Sequence, residues 1–232
     1  MPSAFAPQIP VAANLLELRG VACERDDALL FEPLDMAVAG GSIVQLEGPN
    51  GVGKTSLLRC IAGLSSRYRG DMRWRGQSLQ VARAAFAEET LYLGHHPGVK
   101  AALSARENLL WWSALRGIGA SDQVDAALAQ VGLADYESSP CYQLSAGQQR
   151  RVALARLFLA PVPLWILDEP FTAIDKHGVA QLEVWISDHA RRGGAVLLTT
   201  HQPLTLIERV VKVALSAASD DPAAEDVVDG EY

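Results

Sequence analysis

Gly48-Pro49-Asn50-Gly51-Val52-Gly53-Lys54-Thr55 decides how this chain of 232 residues is read. An apolar run, Ile43-Val44-Gln45-Leu46, precedes it, and Leu57, Leu58, Ile61 and Leu64 follow at helical spacing. The context is strand, glycine-rich turn, helix. A backbone with little side-chain bulk at such a junction can wrap its N–H groups around phosphate oxygens, at the positive end of a helix dipole. Lys54 is then placed to reach the β and γ phosphates of a nucleotide. The Thr55 hydroxyl is placed to coordinate Mg²⁺, and Ser56 completes the phosphate-binding set.

Composition narrows the class. Apolar residues make up 49% and charged residues 20%, as in an ordinary soluble globular unit. The formal net charge of −7 argues against nucleic acid as a partner, because nucleic-acid-binding surfaces are basic. Cys23, Cys60 and Cys141 show no metal-ligand spacing and read as buried or incidental thiols in a reducing compartment. Residues 1–13 carry no charged side chain and lack the basic and continuous apolar regions of a signal peptide, so a flexible arm is expected. Leu154 to Leu167 is broken by Arg156, Pro161 and Pro163 and is too short to span a bilayer. Any membrane association is therefore expected only through partners. Residues 217–232 read as an acidic, flexible tail, leaving 14–216 as the folded domain.

Within that domain, Leu15–Leu18 and Leu29–Val38 flank a polar turn and predict two strands of an outer antiparallel sheet. Gly63 is placed to end the helix after the phosphate loop. Residues 70–76 predict a short strand at the sheet edge, and Leu91–Gly94 another strand. Ser104 with Glu107 forms a capping box ahead of Leu109, Leu110, Trp112 and Leu115, and a second helix is predicted over 121–131. Residues of about 97–150 thus read as a helical subdomain inserted in an α/β framework. Leu164–Leu167 and Ala195–Thr199 are continuous apolar runs suited to central parallel strands, with a helix over 179–192 between them. After His201, a short helix over 204–209 and a strand over 210–215 are predicted.

Asp168-Glu169 ends the first of those central strands, where open parallel sheets place ligands. Two adjacent carboxylates there have separable tasks: Asp168 on the metal ion, Glu169 as the base that polarises an attacking water. Leu144-Ser145-Ala146-Gly147-Gln148-Gln149-Arg150-Arg151 contains a second capping box, Ser145 with Gln148, opening a helix over 152–159. This stretch resembles the signature sequence of the ABC ATPases. Ala173-Ile174-Asp175 resembles that family's D-loop, and His201 its switch histidine. With the phosphate loop and Asp168-Glu169, these elements stand in family order.

The resemblance implies the ABC fold of the P-loop NTPases: a parallel core sheet, an antiparallel β subdomain and an inserted helical subdomain. It further implies ATP and Mg²⁺ as cofactors. The working unit would be a head-to-tail dimer, in which Ser145 and Gly147 of one copy meet ATP held by Lys54 of the other. His201 would bond the γ-phosphate, and Asp175 would couple the two sites. The sequence departs from the family at two places. Where an aromatic residue stacks on adenine there is Glu24-Arg25, and the Arg25 guanidinium is the available substitute. The glutamine expected after Tyr92 is replaced by His96, or by His95 beside it, as a third catalytic candidate with Glu169 and His201.

Cys23-Glu24-Arg25-Asp26, Leu93-Gly94-His95-His96-Pro97-Gly98 and Glu107-Asn108-Leu109, together with the signature, resemble the ATP-binding subunits of cytochrome c maturation systems. That resemblance covers about residues 14–215. It implies CcmB-type and CcmC-type transmembrane partners and a peripheral position on the cytoplasmic face of the bacterial inner membrane. The work driven would be haem export or release of a haem-carrying chaperone. Trp111 and Trp112 are candidates for the docking surface or for the helix core. The competing assignment is the ATP-binding subunit of another small-molecule, lipid or drug exporter.

Overall fold

The computed structural model describes residues 14–26, 28–118 and 121–218. The expected N-terminal arm, 1–13, and nearly all of the expected tail lie outside the described residues. In chain order the strands and helices are β1 Asn14–Arg25, β2 Ala28–Leu29, β3 Leu34–Ala39, β4 Ile43–Glu47, α1 Lys54–Ile61, β5 Tyr68–Trp74, β6 Gln77–Ser78, α2 Arg83–Glu89 and β7 Thr90–Leu93. There follow α3 Ala105–Leu115, α4 Ser121–Gln130, α5 Ala146–Ala155, β8 Leu164–Asp168, α6 Lys176–Arg191, β9 Ala195–Thr199 and β10 Val211–Ala214. The architecture is α/β, as the sequence predicts.

Two sheets result. The core sheet is parallel, in the order β10-β4-β9-β8-β7. Its inner strands β8 and β9 are buried along their whole length, which is why both read as unbroken apolar runs. Alternation along them still sorts two faces. Leu164, Ile166, Ala195 and Leu197 point to a layer containing α1 and the antiparallel sheet. Trp165, Leu167, Val196 and Leu198 point to α6, α5 and the helical segment. Full burial of each Leu, Ile or Val among them stabilises by roughly 1.5–3 kcal/mol.

The antiparallel sheet is built on β1, which pairs with β2, β3 and β5. The first expected pair of strands is thus three. Asp26, at φ 51, turns β1 straight into the two-residue β2, and Glu32-Pro33 interrupts the ladder before β3. Residues 70–76 are not an edge strand: β5 lies inside the sheet, between β1 and β6. Helix α2 was not legible, having one buried apolar residue, Phe86, which packs edge-on against Trp74 at 5.1 Å. The helix expected over 204–209 does not form. Its Leu206 N–H donates to the buried Glu183 carboxylate of α6 at 2.6 Å instead of entering a helical ladder.

The helical segment is continuous with the main core through Leu109, Val124, Ala127 and Leu128. Both predicted capping boxes are present, Ser104 with Glu107 and Ser145 with Gln148. Helix α6 begins three residues earlier than predicted because Asp175 caps it, accepting from Gly178 N at 3.1 Å.

At the far end of α6, the His189 ring stacks on Trp165 at 3.9 Å with 5° between planes. Burial there pushes the imidazole down to about 4 from 6.5, so it folds neutral. The unfolded chain takes up this proton as pH falls through 6.5 while the folded chain does not, so stability is full above 6.5 and is lost down to about 4. The expected loss across that window is on the order of 3 kcal/mol. Denaturant unfolding of wild type against His189→Phe, which keeps the stack, measures it as the difference between their pH slopes.

Candidate functional site

Because β4, β9 and β8 run parallel and adjacent, their carboxyl ends share one edge of the sheet. From β4 the chain enters the phosphate loop. Its turn into α1 is made by Gly53, at φ 107, whose missing Cβ would lie 3.0 Å from the Phe31 ring. Lys54 Nζ donates to the carbonyls of Gly48 at 2.6 Å and Pro49 at 3.1 Å, across the mouth of the loop.

Asp168 closes β8, opposite Thr199 of β9 in register. Its Oδ1 accepts from Thr199 Oγ1 at 2.8 Å and from Thr55 Oγ1 at 3.1 Å, while its buried Oδ2 has no protein partner. Thr55, Asp168 and that unsatisfied oxygen form a hard-oxygen donor set, which fits Mg²⁺. Glu169 follows with φ 47, a left-handed conformation uncommon for a residue with a side chain. Its N–H donates to Thr199 Oγ1 at 3.0 Å, and its Oε1 lies 3.5 Å from His201 Nε2.

These residues line a cleft of 220 Å³ together with Arg25, Asn50, Gly51, Gly53 and Ser56. A larger cleft of 620 Å³, bounded by Gly48, Lys54, His201, Ile207 and Lys212, adjoins it. The structure therefore brings Lys54, Thr55, Ser56, Asp168, Glu169, His201 and Arg25 together. Val52 is buried, its side chain facing the protein, and Pro49 takes part through its carbonyl.

Ser145, Gly147, Asp175 and His96 stand apart from both clefts. Ser145 is exposed at the start of α5, and Gly147 sits beside it, where an added Cβ would come 2.6 Å from the Ala173 carbonyl. The two segments that resemble the signature and the D-loop are thus pressed together. Asp175 is exposed and pairs with Arg151 at 2.7 Å; the hydrogen bond from the Gly178 N–H, with Arg151, holds its carboxyl below the usual range. His96 is exposed, its ring edge-on to His95 at 5.4 Å.

Two residues that organise the site were given no role from the sequence. Thr199 links Asp168 to Glu169 and was legible only as the polar end of an apolar run. Arg150 is 2% exposed, and its guanidinium donates to the carbonyls of Gly94, His95, Asp168, Glu169 and Pro170 at 2.7–3.4 Å. Burial lowers its pKa, the neighbouring Asp168 and Glu169 opposing that shift. Arg156, one turn and a half further on, donates to Pro97 and Gly98, and burial lowers it to about 10. The signal for both was an arginine among the buried residues of α5 and of the turn that follows it.

Comparison with known proteins agrees with this geometry. The chain belongs to the ABC transporter family, whose model matches residues 31–172. A solved ABC transporter ATP-binding protein from Pyrococcus furiosus superposes with a TM-score of 0.75 at 25% identity, over 88% of this chain and 99% of that one. An ATP-binding cassette solved as a dimer with ADP and Pi has the same fold, with a TM-score of 0.75 at 19% identity over 86% of this chain and 96% of its own.

Within the family, the chain is similar to cytochrome c biogenesis ATP-binding export proteins CcmA. That of Hahella chejuensis is 53% identical over 88% of this chain and 97% of its own length. Those of Yersinia pestis and Aliivibrio fischeri are 52% and 50% identical, each over 85% of this chain and over 91% and 97% of their own lengths.

Arg150→Lys replaces a five-carbonyl fork with a single ammonium. Turnover of ATP is expected to fall by about a hundredfold with little change in KM, as reacting groups shift without loss of the phosphate loop. Steady-state kinetics of the purified variant checks this.

Proposed function

We propose that this chain is the ATP-hydrolysing, energy-coupling subunit of a cytochrome c biogenesis exporter, working on haem export or on release of a haem-carrying chaperone. The observation that carries the hydrolytic part is the convergence of Lys54, Thr55, Asp168, Glu169 and His201 on one cleft. The names of its relatives support the cytochrome c part.

In this reading Lys54 exchanges its two carbonyl partners for β and γ phosphate oxygens, and the loop N–H groups hold the rest. Thr55 and Asp168 would hold Mg²⁺, which neutralises phosphate charge when bound. Glu169 takes the proton of the attacking water, and His201 donates to the γ-phosphate. Arg25, at the cleft rim, lays its guanidinium against the base. Ser145 and Gly147 act on a second copy of the chain, head to tail, presenting the N-terminus of α5 to its γ-phosphate. Asp175, rigidly capping α6 beside the signature, reports one site to the other. His96 stands in for a glutamine on the loop that Arg150 and Arg156 pin.

Among the described residues no helix is long and apolar enough to cross a membrane. Attachment to the cytoplasmic face of the inner membrane would run through CcmB-type and CcmC-type subunits.

Glu169→Gln is expected to lower turnover by about 10²- to 10⁴-fold while ATP still binds. Rates equal to wild type in a phosphate-release assay would sink the assignment of Glu169 as base. For the exporter assignment, the tagged chain is expected to co-purify a CcmB-type protein from membranes; recovery of a different transmembrane subunit would place it in another exporter.

A further inference from the structure

Cys23 of β1 and Cys60 of α1 take no part in the proposed hydrolysis, yet their thiols face each other with Sγ 3.6 Å from Sγ. Both are buried, but Cys60 also lines two surface clefts. One, of 270 Å³, is shared with Arg25, Ser56 and Arg59; the other, of 760 Å³, is shared with Leu64, Tyr68 and Phe86. A small oxidant entering either cleft lies against Cys60. The third thiol is set apart: Cys141 accepts from Asn108 Nδ2 at 3.3 Å and belongs to the opposite layer of the core.

We infer that Cys23 and Cys60 form a modification site at which hydrogen peroxide closes an intramolecular disulfide, restraining α1 against β1 beneath the nucleotide. The shared hydrogen bond favours thiolate on Cys60 and, with burial, holds the Cys23 thiol protonated, which orders the two steps. The Cys60 sulfur attacks one peroxide oxygen, the O–O bond breaks, and water leaves behind a Cys60 sulfenic acid. The Cys23 sulfur, releasing its proton, then attacks the sulfenic sulfur and expels the second water as the S–S bond forms. Two thiols are oxidised and the peroxide is reduced to water.

The bond draws the sulfurs to about 2.05 Å, so they approach by roughly 1.5 Å. That movement falls on functional elements. Helix α1 carries Lys54 and Thr55 in its first turn, and Cys23 lies two residues before Arg25 on β1. Displacing the phosphate helix relative to the base side of the cleft is expected to slow turnover by about tenfold or more.

The test exposes the reduced, full-length protein to hydrogen peroxide, then follows intact mass, peptide mapping and ATP turnover before and after dithiothreitol. Wild type is expected to lose two hydrogens, to yield a linked Cys23–Cys60 peptide, and to lose turnover that dithiothreitol restores. Cys23→Ser is expected to gain oxygen on Cys60 without any cross-link. A wild type that stays unlinked, links through Cys141, or accumulates oxygenated Cys60 overturns the site. A Cys23–Cys60 link with unchanged turnover overturns its connection to the nucleotide cleft. The mass readout is independent of whether ATP is hydrolysed, so it stands apart from the proposed function.

Discussion

Parallel pairing of β4 with β9 and of β9 with β8 puts Glu47, Thr199 and Asp168 on one edge, and every chemical group of the cleft except Arg25 of β1 hangs from that edge. The loop leaving β4 supplies main-chain donors and Lys54. The end of β8 supplies both carboxylates, and the turn after β9 supplies His201. Thr199 stitches them, bonding the Asp168 carboxylate and the Glu169 N–H with one hydroxyl. A one-residue slip of β9 would turn that hydroxyl to the opposite face of the sheet. The buried faces of β8 and β9, packed on both sides by apolar layers, make the slip costly.

A second constraint is the pair of arginines on α5 and the turn after it. A guanidinium taken out of water needs its donors satisfied. Arg150 meets that need with carbonyls from two segments, the end of β8 and the loop after β7. Arg156 takes the next carbonyls of the same loop, at Pro97 and Gly98. The Arg150 guanidinium therefore joins α5 to the end of β8 and to the His95-His96 loop.

The frame was legible where local chemistry decides the outcome. Apolar runs at β8 and β9, the glycine-rich turn into α1 and both capping boxes are short-range signals, and all are present as read. What failed depended on partners distant in sequence. The Leu206 N–H is diverted to Glu183, so 204–209 is no helix, and β5 gains β6 as a neighbour, so it is no edge. Arg25, Asn50, Gly51, Gly53, Lys54, Thr55, Ser56, Asp168, Glu169 and His201, named from the sequence, line one cleft, whereas His96 lies outside it and Ser145 and Gly147, expected to face a second copy, are on the surface at the start of α5. Arg150 escaped because a charge on a buried helical face is unintelligible until the carbonyls it binds are in place. Thr199 escaped because its role exists only through register with Asp168.

In the proposed reading, the exposed Ser145 segment and the cleft it does not line make one chain half of a site. Lys54→Ala removes the phosphate ligand but leaves a sound signature; Ser145→Arg spoils the signature but leaves a sound cleft. Each variant alone is expected to be inactive. Mixed, they are expected to regain ATP turnover, because the Ser145→Arg cleft can be completed by the Lys54→Ala signature. A mixture as inactive as its components, under conditions where the two co-purify as a dimer, would contradict a site shared between copies.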